Sequence, residues 1–326
     1  MEKISIIIPV LNESENLLLL HSAIRTSMDC VQAPWEVIYV NDGSWDDSTE
    51  KLDTLAQSDP EHVGVVELRR NFGQTAAISA GIDNADGDVI VLMDADLQND
   101  PADIPMMIQR IEEGYDVASG WRVNRQDKFL SRRVPSQIAN ALISAVTGVH
   151  LHDYGCTLKA YRREVLTGFR LYGEMHRFIP AYASLVGARI IEVPVHHHAR
   201  KYGQTKYGIS RTAKVILDLF TVKFMLSFSH KPIYLFGGTG ALLIGFSMIV
   251  LTYLIINRIL FSEHMVRSPL LLMSMMLFIM GFQSILLGLI AELLARTYHE
   301  SQHKPTYTIR KVIVGGHETM RRGYTI

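Results

Sequence analysis

With 326 residues the chain has room for one sizeable catalytic domain plus appendages, and 32 Lys and Arg against 33 Asp and Glu leave a formal net charge of −1. That balance excludes the basic excess of a nucleic-acid binder, and two distant cysteines, Cys30 and Cys156, outside any metal-ligand spacing, exclude a disulfide framework and fit a reducing compartment. The hydrophobic share of 48% and the mean hydropathy of +0.13 are high for a soluble protein, and the excess is gathered late in the chain.

Met1-Glu2-Lys3 leads into an apolar run of only about eight residues that contains Pro9, too short for a secretory core plus cleavage site. It reads as a buried strand. Nearly continuous Val, Ile and Leu at 4–8, 36–40, 63–68 and 89–93 predict strands buried on both faces. Helical patterns fall between them, at 15–28, 48–56, 75–83 and 102–113. Asp46-Asp47-Ser48 supplies capping chemistry for the second, and Pro101 suits the first turn of the fourth. This alternation predicts an α/β domain with a mostly parallel sheet, its strand-following loops gathered at one edge.

Residues 121–230 are less regular. Arg132-Arg133 enters an amphipathic stretch, 130–148, with Ile138, Leu142, Ile143 and Val146 on one face. A strand is expected at Ile190–Val195, followed by a basic, glycine-containing loop from Arg200 to Lys206. In 210–231 a narrow polar stripe of Arg211, Lys214, Asp218 and Thr221 crosses an otherwise apolar surface, which reads as a membrane-interface helix. Two apolar stretches follow at 233–256 and 270–291. Each exceeds the roughly 20 residues a bilayer core needs, and neither holds Lys, Arg, Asp or Glu. The alternative is a very apolar helical hairpin inside a soluble core. Only Arg258 and Arg267 are basic between the spans, whereas Lys201, Lys206, Arg211, Lys214, Lys223 and Lys231 precede them and Arg296, Lys304, Arg310 and Lys311 follow. The positive-inside rule therefore places both termini in the cytoplasm. The expected organisation is a catalytic domain over 1–209, an interface helix over 210–231, a two-helix anchor over 232–295 and a cytoplasmic tail over 296–326.

The strongest chemical signal is Asp94-Ala95-Asp96, directly after the strand at 89–93. Two carboxylates separated by one residue at a strand end can share a divalent cation and a diphosphate, and Gln98 can add a neutral oxygen. All-oxygen ligation suits Mg²⁺ or Mn²⁺. Against this stands a solvated turn that only caps the next helix. Asn41-Asp42-Gly43-Ser44 follows the second strand, where Asp42 can accept from a nucleobase edge or form a simple Asx turn. Glu13, in Pro9-Val10-Leu11-Asn12-Glu13 after the first strand, is a candidate ribose or base contact. His196-His197-His198 is a weak metal candidate, because consecutive strand residues point to alternate faces. Arg177 is a phosphate contact or a surface charge. Cys156 lacks an evident partner base and is not expected to be a nucleophile.

The set "IIIPVLNE", "VNDGS", "RNFGQTAAISAGI" and "MDADLQNDP" resembles the family 2 inverting glycosyltransferases. More narrowly it resembles their polyprenyl-phosphate branch, including dolichyl-phosphate mannose synthases and undecaprenyl-phosphate glucosyl- and formamidoarabinosyl-transferases. The likeness runs on through "DYGCTLKAYRREV", "EVPVHH" and the two spans, almost the whole chain. It implies a GT-A fold, a nucleotide-sugar donor (UDP- or GDP-linked), a polyprenyl phosphate acceptor and the cytoplasmic membrane as location. It implies that Pro9, Glu13 and Asp42 hold the nucleoside, that Asp94, Asp96 and Gln98 surround metal and diphosphate, and that Arg177, Arg200 and Lys206 meet phosphates. Asp153 would orient the acceptor or take a residual proton. Many relatives read Asp-x-Thr-Ser-Gly-Phe-Arg where this chain has Asp153 to Lys159, so Lys159 replaces an arginine and a bidentate grip is not expected there. Asp153-Tyr154-Gly155-Cys156 with Asn124-Arg125-Gln126-Asp127 leans toward the formamidoarabinosyl relatives. A homo-oligomer fits the resemblance as well as a monomer does. The rival readings are a processive polysaccharide synthase, which would add a Gln-x-x-Arg-Trp motif and further spans, and an inactive sugar-nucleotide-binding membrane scaffold.

Overall fold

The computed structural model describes residues 3–123, 140, 143–144, 147–167, 171, 175–199, 233–261, 268–301 and 307–318. The chain divides into two compact units, Met1–Val222 with Lys304–Ile326, and Lys223–His303.

In the first unit β1 (Ile4–Val10), β2 (Trp35–Asn41), β3 (Val63–Leu68) and β4 (Val89–Leu92) form a parallel block in the order β4-β1-β2-β3. Their apolar runs are continuous because helices cover both faces, so alternation would strand a polar residue in the core. Between them stand α1 (Ser14–Met28), α2 (Ser48–Ser58) and α3 (Gln74–Asn84). α1 buries Leu17, Leu20, Ile24 and Met28, a helical stripe against the sheet. Such a fully buried leucine contributes roughly 1.5–3 kcal/mol relative to exposure. One carboxylate starts two helices: Asp46 accepts from the Ser14 amide and the Ser48 amide, each at 3.1 Å. Asp100 accepts from the Ala102 amide at 3.0 Å and opens a 3₁₀ turn, Pro101–Asp103, that runs into α4 (Ile104–Glu112).

The sheet continues beyond β4 through β6 (Lys159–Arg162), antiparallel to both β4 and β5 (Val117–Arg122), and ends on β7 (Ile190–Val195), parallel to β5. A short helix, α5 (Ile179–Leu185), precedes β7. At the other edge β8 (Ile309–Val314) pairs antiparallel with β3 and with the two-residue β9 (His317–Glu318). This corrects the expected tail at 296–326. Ile309, Val312 and Ile313 are buried in the sheet, so the chain returns from the apolar helices to complete the catalytic unit. Of the amphipathic stretch 130–148, residues 140, 143–144 and 147 are helical, Gly148 follows in a bend, and the rest lies outside the described residues, as does the interface helix at 210–231.

The second unit is a hairpin of α6 (Ile233–Phe261) and α7 (Pro269–Ser301). Small residues let the two helices touch. A Cβ on Gly240 would lie 2.5 Å from the Gly281 carbonyl oxygen, and one on Gly281 would lie 2.7 Å from that of Gly240. Ser247 donates to the Ser274 carbonyl at 2.6 Å and Ser284 to that of Phe236 at 2.8 Å. Phe236–Leu260 and Pro269–Ile290 are long and apolar enough to cross a membrane, with mean hydropathy 2.2 each. A core hairpin of a soluble protein would bury these faces. Here Leu242, Ile249 and Ile259 stand 66–76% exposed among the described residues, an apolar surface larger than soluble proteins usually leave uncovered.

Candidate active site

The loops after β1, β2, β3 and β4 share one edge, and the strand order reverses direction between β1 and β4, the place where open α/β sheets bind ligands. Asp94 leaves the end of β4 there. Its two oxygens accept from the Gln74 side-chain amide (2.7 Å), at the start of α3, and from the Thr157 hydroxyl. Burial and then the Asp96 charge push the Asp94 carboxyl up to about 6, against the opposing pull of Thr157, Arg122 and Arg177. Asp96 is buried and accepts from the Gln98 amide at 3.1 Å, closing a tight turn in which Leu97 takes φ 58°. Two carboxylates that repel one another at a sheet edge, with the Gln98 side chain two residues on, form an all-oxygen donor set that fits a hard divalent cation. Among the described residues no cluster of three or more His, Cys, Asp or Glu side chains offers a competing metal site.

Asp42 is buried, and its carboxylate accepts the amides of Phe72 (2.7 Å) and Gly73 (2.9 Å). It therefore holds the 69–73 loop against the end of β2, while burial raises its pKa. Gly43 (φ 70°) makes this possible, since a Cβ there would lie 2.6 Å from the Arg70 carbonyl carbon. What approaches Gly43 closely is this loop. Glu13 precedes α1, its amide donating to Ser48 (3.1 Å) and its carboxylate accepting from Asn16 (2.7 Å). Pro9 is the penultimate residue of β1. Both thus belong to the same edge as Asp42 and Asp94.

Asp153 is 2% exposed, and its oxygens accept Nε and Nη2 of Arg122 at 2.6 and 2.9 Å. This bidentate pair brings the Arg122 charge to bear on Asp94. Lys159 is also buried, and its ammonium donates to the carbonyls of Tyr154 (3.2 Å) and Cys156, clamping the loop between Asp153 and β6. Burial lowers its pKa. Cys156 is buried, its thiol pushed up to about 11, which suits packing and not nucleophilic attack. Arg177 sits on the 3₁₀ turn Met175–Phe178, where its charge acts on Asp94; the neighbouring His176 bonds to Thr75 of α3 at 2.7 Å. The histidine run lies just beyond the end of β7, with His197 in an isolated bridge to Asn99. His196 pairs with Asp103 and His198 with Asp100, each at 2.8 Å, so both are occupied by carboxylates. Arg200 and Lys206 lie outside the described residues.

The structure thus brings Pro9, Glu13, Asp42, Asp94, Asp96, Gln98, Asp153 and Arg177 to one edge. Sequence reasoning missed Arg122, Gln74 and Thr157. The last two stood inside the quoted runs "RNFGQT" and "GCTL"; Arg122 ends a strand with no local signature of its own.

Residues 5–169 match the model of the glycosyl transferase family 2, to which this chain belongs. It is 42% identical over 313 residues to the dodecaprenyl-phosphate galacturonate synthase of Rhizobium johnstonii, covering 95% of this chain and 93% of that protein. It is 36% identical to the undecaprenyl-phosphate 4-deoxy-4-formamido-L-arabinose transferase of an Enterobacter species, covering 96% and 94%. Among solved structures the fold is similar to glucosyl-3-phosphoglycerate synthase from Mycobacterium tuberculosis, in complex with Mn²⁺ and UDP-glucose, with a TM-score of 0.53, 19% identity and coverage of 70% and 81%. The fold is accordingly GT-A-like.

Proposed function

We propose that this glycosyltransferase moves a sugar from a nucleoside diphosphate donor onto the phosphate of a polyprenyl lipid at the cytoplasmic face of the membrane. The observation that carries this reading is the Asp94–Asp96 pair at the β1/β4 reversal, in a chain matched along nearly its whole length by polyprenyl-phosphate sugar transferases. Asp94, Asp96 and Gln98 would hold Mg²⁺ or Mn²⁺, which when bound supplies charge to neutralise the departing diphosphate. Pro9, Glu13 and Asp42 border the nucleoside. Arg177 sets positive charge beside Asp94 for the phosphates, and Arg200 and Lys206 are assigned the phosphates by their place in the sequence. The acceptor phosphate is already anionic near neutral pH and needs no strong base. Its oxygen forms the new bond to the anomeric carbon as the bond to the donor diphosphate breaks, the electron pair leaving with the diphosphate and the centre inverting. Asp153, held bidentately by Arg122, then acts as a positioning group more naturally than as a proton acceptor.

The test offers the purified full-length chain a panel of UDP- and GDP-sugars with undecaprenyl phosphate and Mn²⁺. One lipid-linked sugar is expected, lost with chelator and with Asp96→Ala. Binding of nucleotide with neither transfer nor donor hydrolysis would point to the inactive scaffold, and growing polymer to a processive synthase.

A further inference from the structure

We propose that the C-terminal strand β8, with the two residues before it, is a positioning element for the donor loop, tying the nucleotide site to the chain that emerges from α7. The inference rests on the donor reading above for its ligand but on separate residues for its geometry. Tyr307 and Thr308 are consecutive, and they grip opposite ends of the stretch from Arg69 to Asp83. The Arg69 amide donates to the Thr308 carbonyl at 3.0 Å, where the stretch leaves β3. The Tyr307 hydroxyl donates to Asp83 at 2.6 Å, one residue from the end of α3, and its side chain is buried.

The start of that stretch reaches the site. Arg70 stacks over Phe72 at 4.1 Å, the Phe72 and Gly73 amides reach Asp42, and Gln74 reaches Asp94. Neither end of the stretch can shift without breaking a contact to the C-terminal segment. That segment is anchored in turn by the β3–β8 ladder, by Lys311 on Asp53 at 3.1 Å and by Arg310 on Glu67 at 3.2 Å. α7 ends at Ser301, so only residues 302–306 intervene between the apolar helix and Tyr307. A loose tail would leave the edge of β3 unpaired and the loop fixed only by its contacts to Asp42 and Asp94.

The test uses full-length protein in detergent with Tyr307→Phe, Asp83→Ala, both together, and Asp83→Asn, which still accepts the hydroxyl proton. Hydrogen–deuterium exchange over residues 69–75 is followed without nucleotide, and UDP and GDP affinities are measured separately. Tyr307→Phe and Asp83→Ala should each speed exchange in 69–75 and weaken the nucleotide that the wild type binds by about fivefold, the factor carried by one hydrogen bond of about 1 kcal/mol. The double variant should be no worse than either single, Asp83→Asn should behave as wild type, and the KM for undecaprenyl phosphate should not move. A lower melting temperature with unchanged exchange in 69–75 and unchanged nucleotide affinity would overturn the proposal, reducing the contact to scaffold. If the wild type binds neither UDP nor GDP, the donor reading fails, and the exchange data alone then decide whether the strand braces the loop.

Discussion

Asp94 carries a charge that its surroundings do not favour. Burial, reinforced by Asp96, lifts its carboxyl to about 6 from 3.8, so between those values the folded chain binds more protons than the unfolded one. Its contribution to stability therefore falls as pH rises through that window, until a cation offsets the repulsion. Asp94→Asn should raise the melting temperature of chelator-treated protein at neutral pH while removing its Mn²⁺ stabilisation. In the wild type Mn²⁺ affinity should fall as pH drops through about 6, by up to about tenfold per unit, a slope that metal titration at several pH values would show. An Asn variant that keeps wild-type Mn²⁺ affinity contradicts the assignment. The Arg122–Asp153 pair predicts differently, because both groups are largely buried and joined by two bonds. Arg122→Ala should destabilise the catalytic unit by roughly 3–5 kcal/mol, by leaving a carboxylate buried without its main partner. Denaturant unfolding checks this, and a loss under 1 kcal/mol would mean that water already serves Asp153.

Elements in this fold are set against each other by a few contacts of small area. The 69–73 loop lies on Gly43, one Asp46 carboxylate starts both α1 and α2, and α6 crosses α7 at Gly240 and Gly281. Close packing and the Ser247 and Ser284 hydrogen bonds join the two helices, the contacts that would hold such a hairpin in lipid, where no hydrophobic drive acts between helices. Gly281→Leu must push α6 away, since even its first carbon would stand 2.7 Å from the Gly240 carbonyl oxygen. The expected loss is about 1–3 kcal/mol, read as a lower melting temperature of the detergent-solubilised chain. Gly245→Leu is the control, for a Cβ there meets nothing within 4 Å.

At the scale of the molecule, residues on both sides of the helical hairpin belong to one catalytic unit, because β8 sits in the same sheet as β1. If α6 and α7 both cross the membrane, the chain must return to the side it left. By the positive-inside rule the basic residues before and after the hairpin would then place that side in the cytoplasm. A reporter inserted at Glu263 should therefore read external and one fused after Ile326 internal. An internal signal at Glu263 would end the two-span topology.

By itself the sequence determined the parallel block and its acidic edge. β1, β2 and β4 are largely buried on both faces and so read as nearly continuous apolar runs, with Asp42 and Asp94 just beyond them. The apolar helices were legible from uninterrupted stretches at 233–256 and 270–291 that hold no Lys, Arg, Asp or Glu. β5, β6 and β8 were not, because Ser119 and Gly120, Lys159 and Arg162, and Arg310 and Lys311 interrupt their patterns. Several of those polar groups are held by partners that the strand pattern does not name: Lys159 by the nearby carbonyls of Tyr154 and Cys156, and, far along the chain, Arg162 by the Ile111 carbonyl and Lys311 by Asp53. The partners of the site were hidden likewise. Nothing near Asp153 names Arg122, and nothing near Asp94 names Thr157 or Gln74. Local pattern records which face of an element leaves water, but which charge meets which is settled only when distant segments close on one another, and there the tertiary structure alone decided.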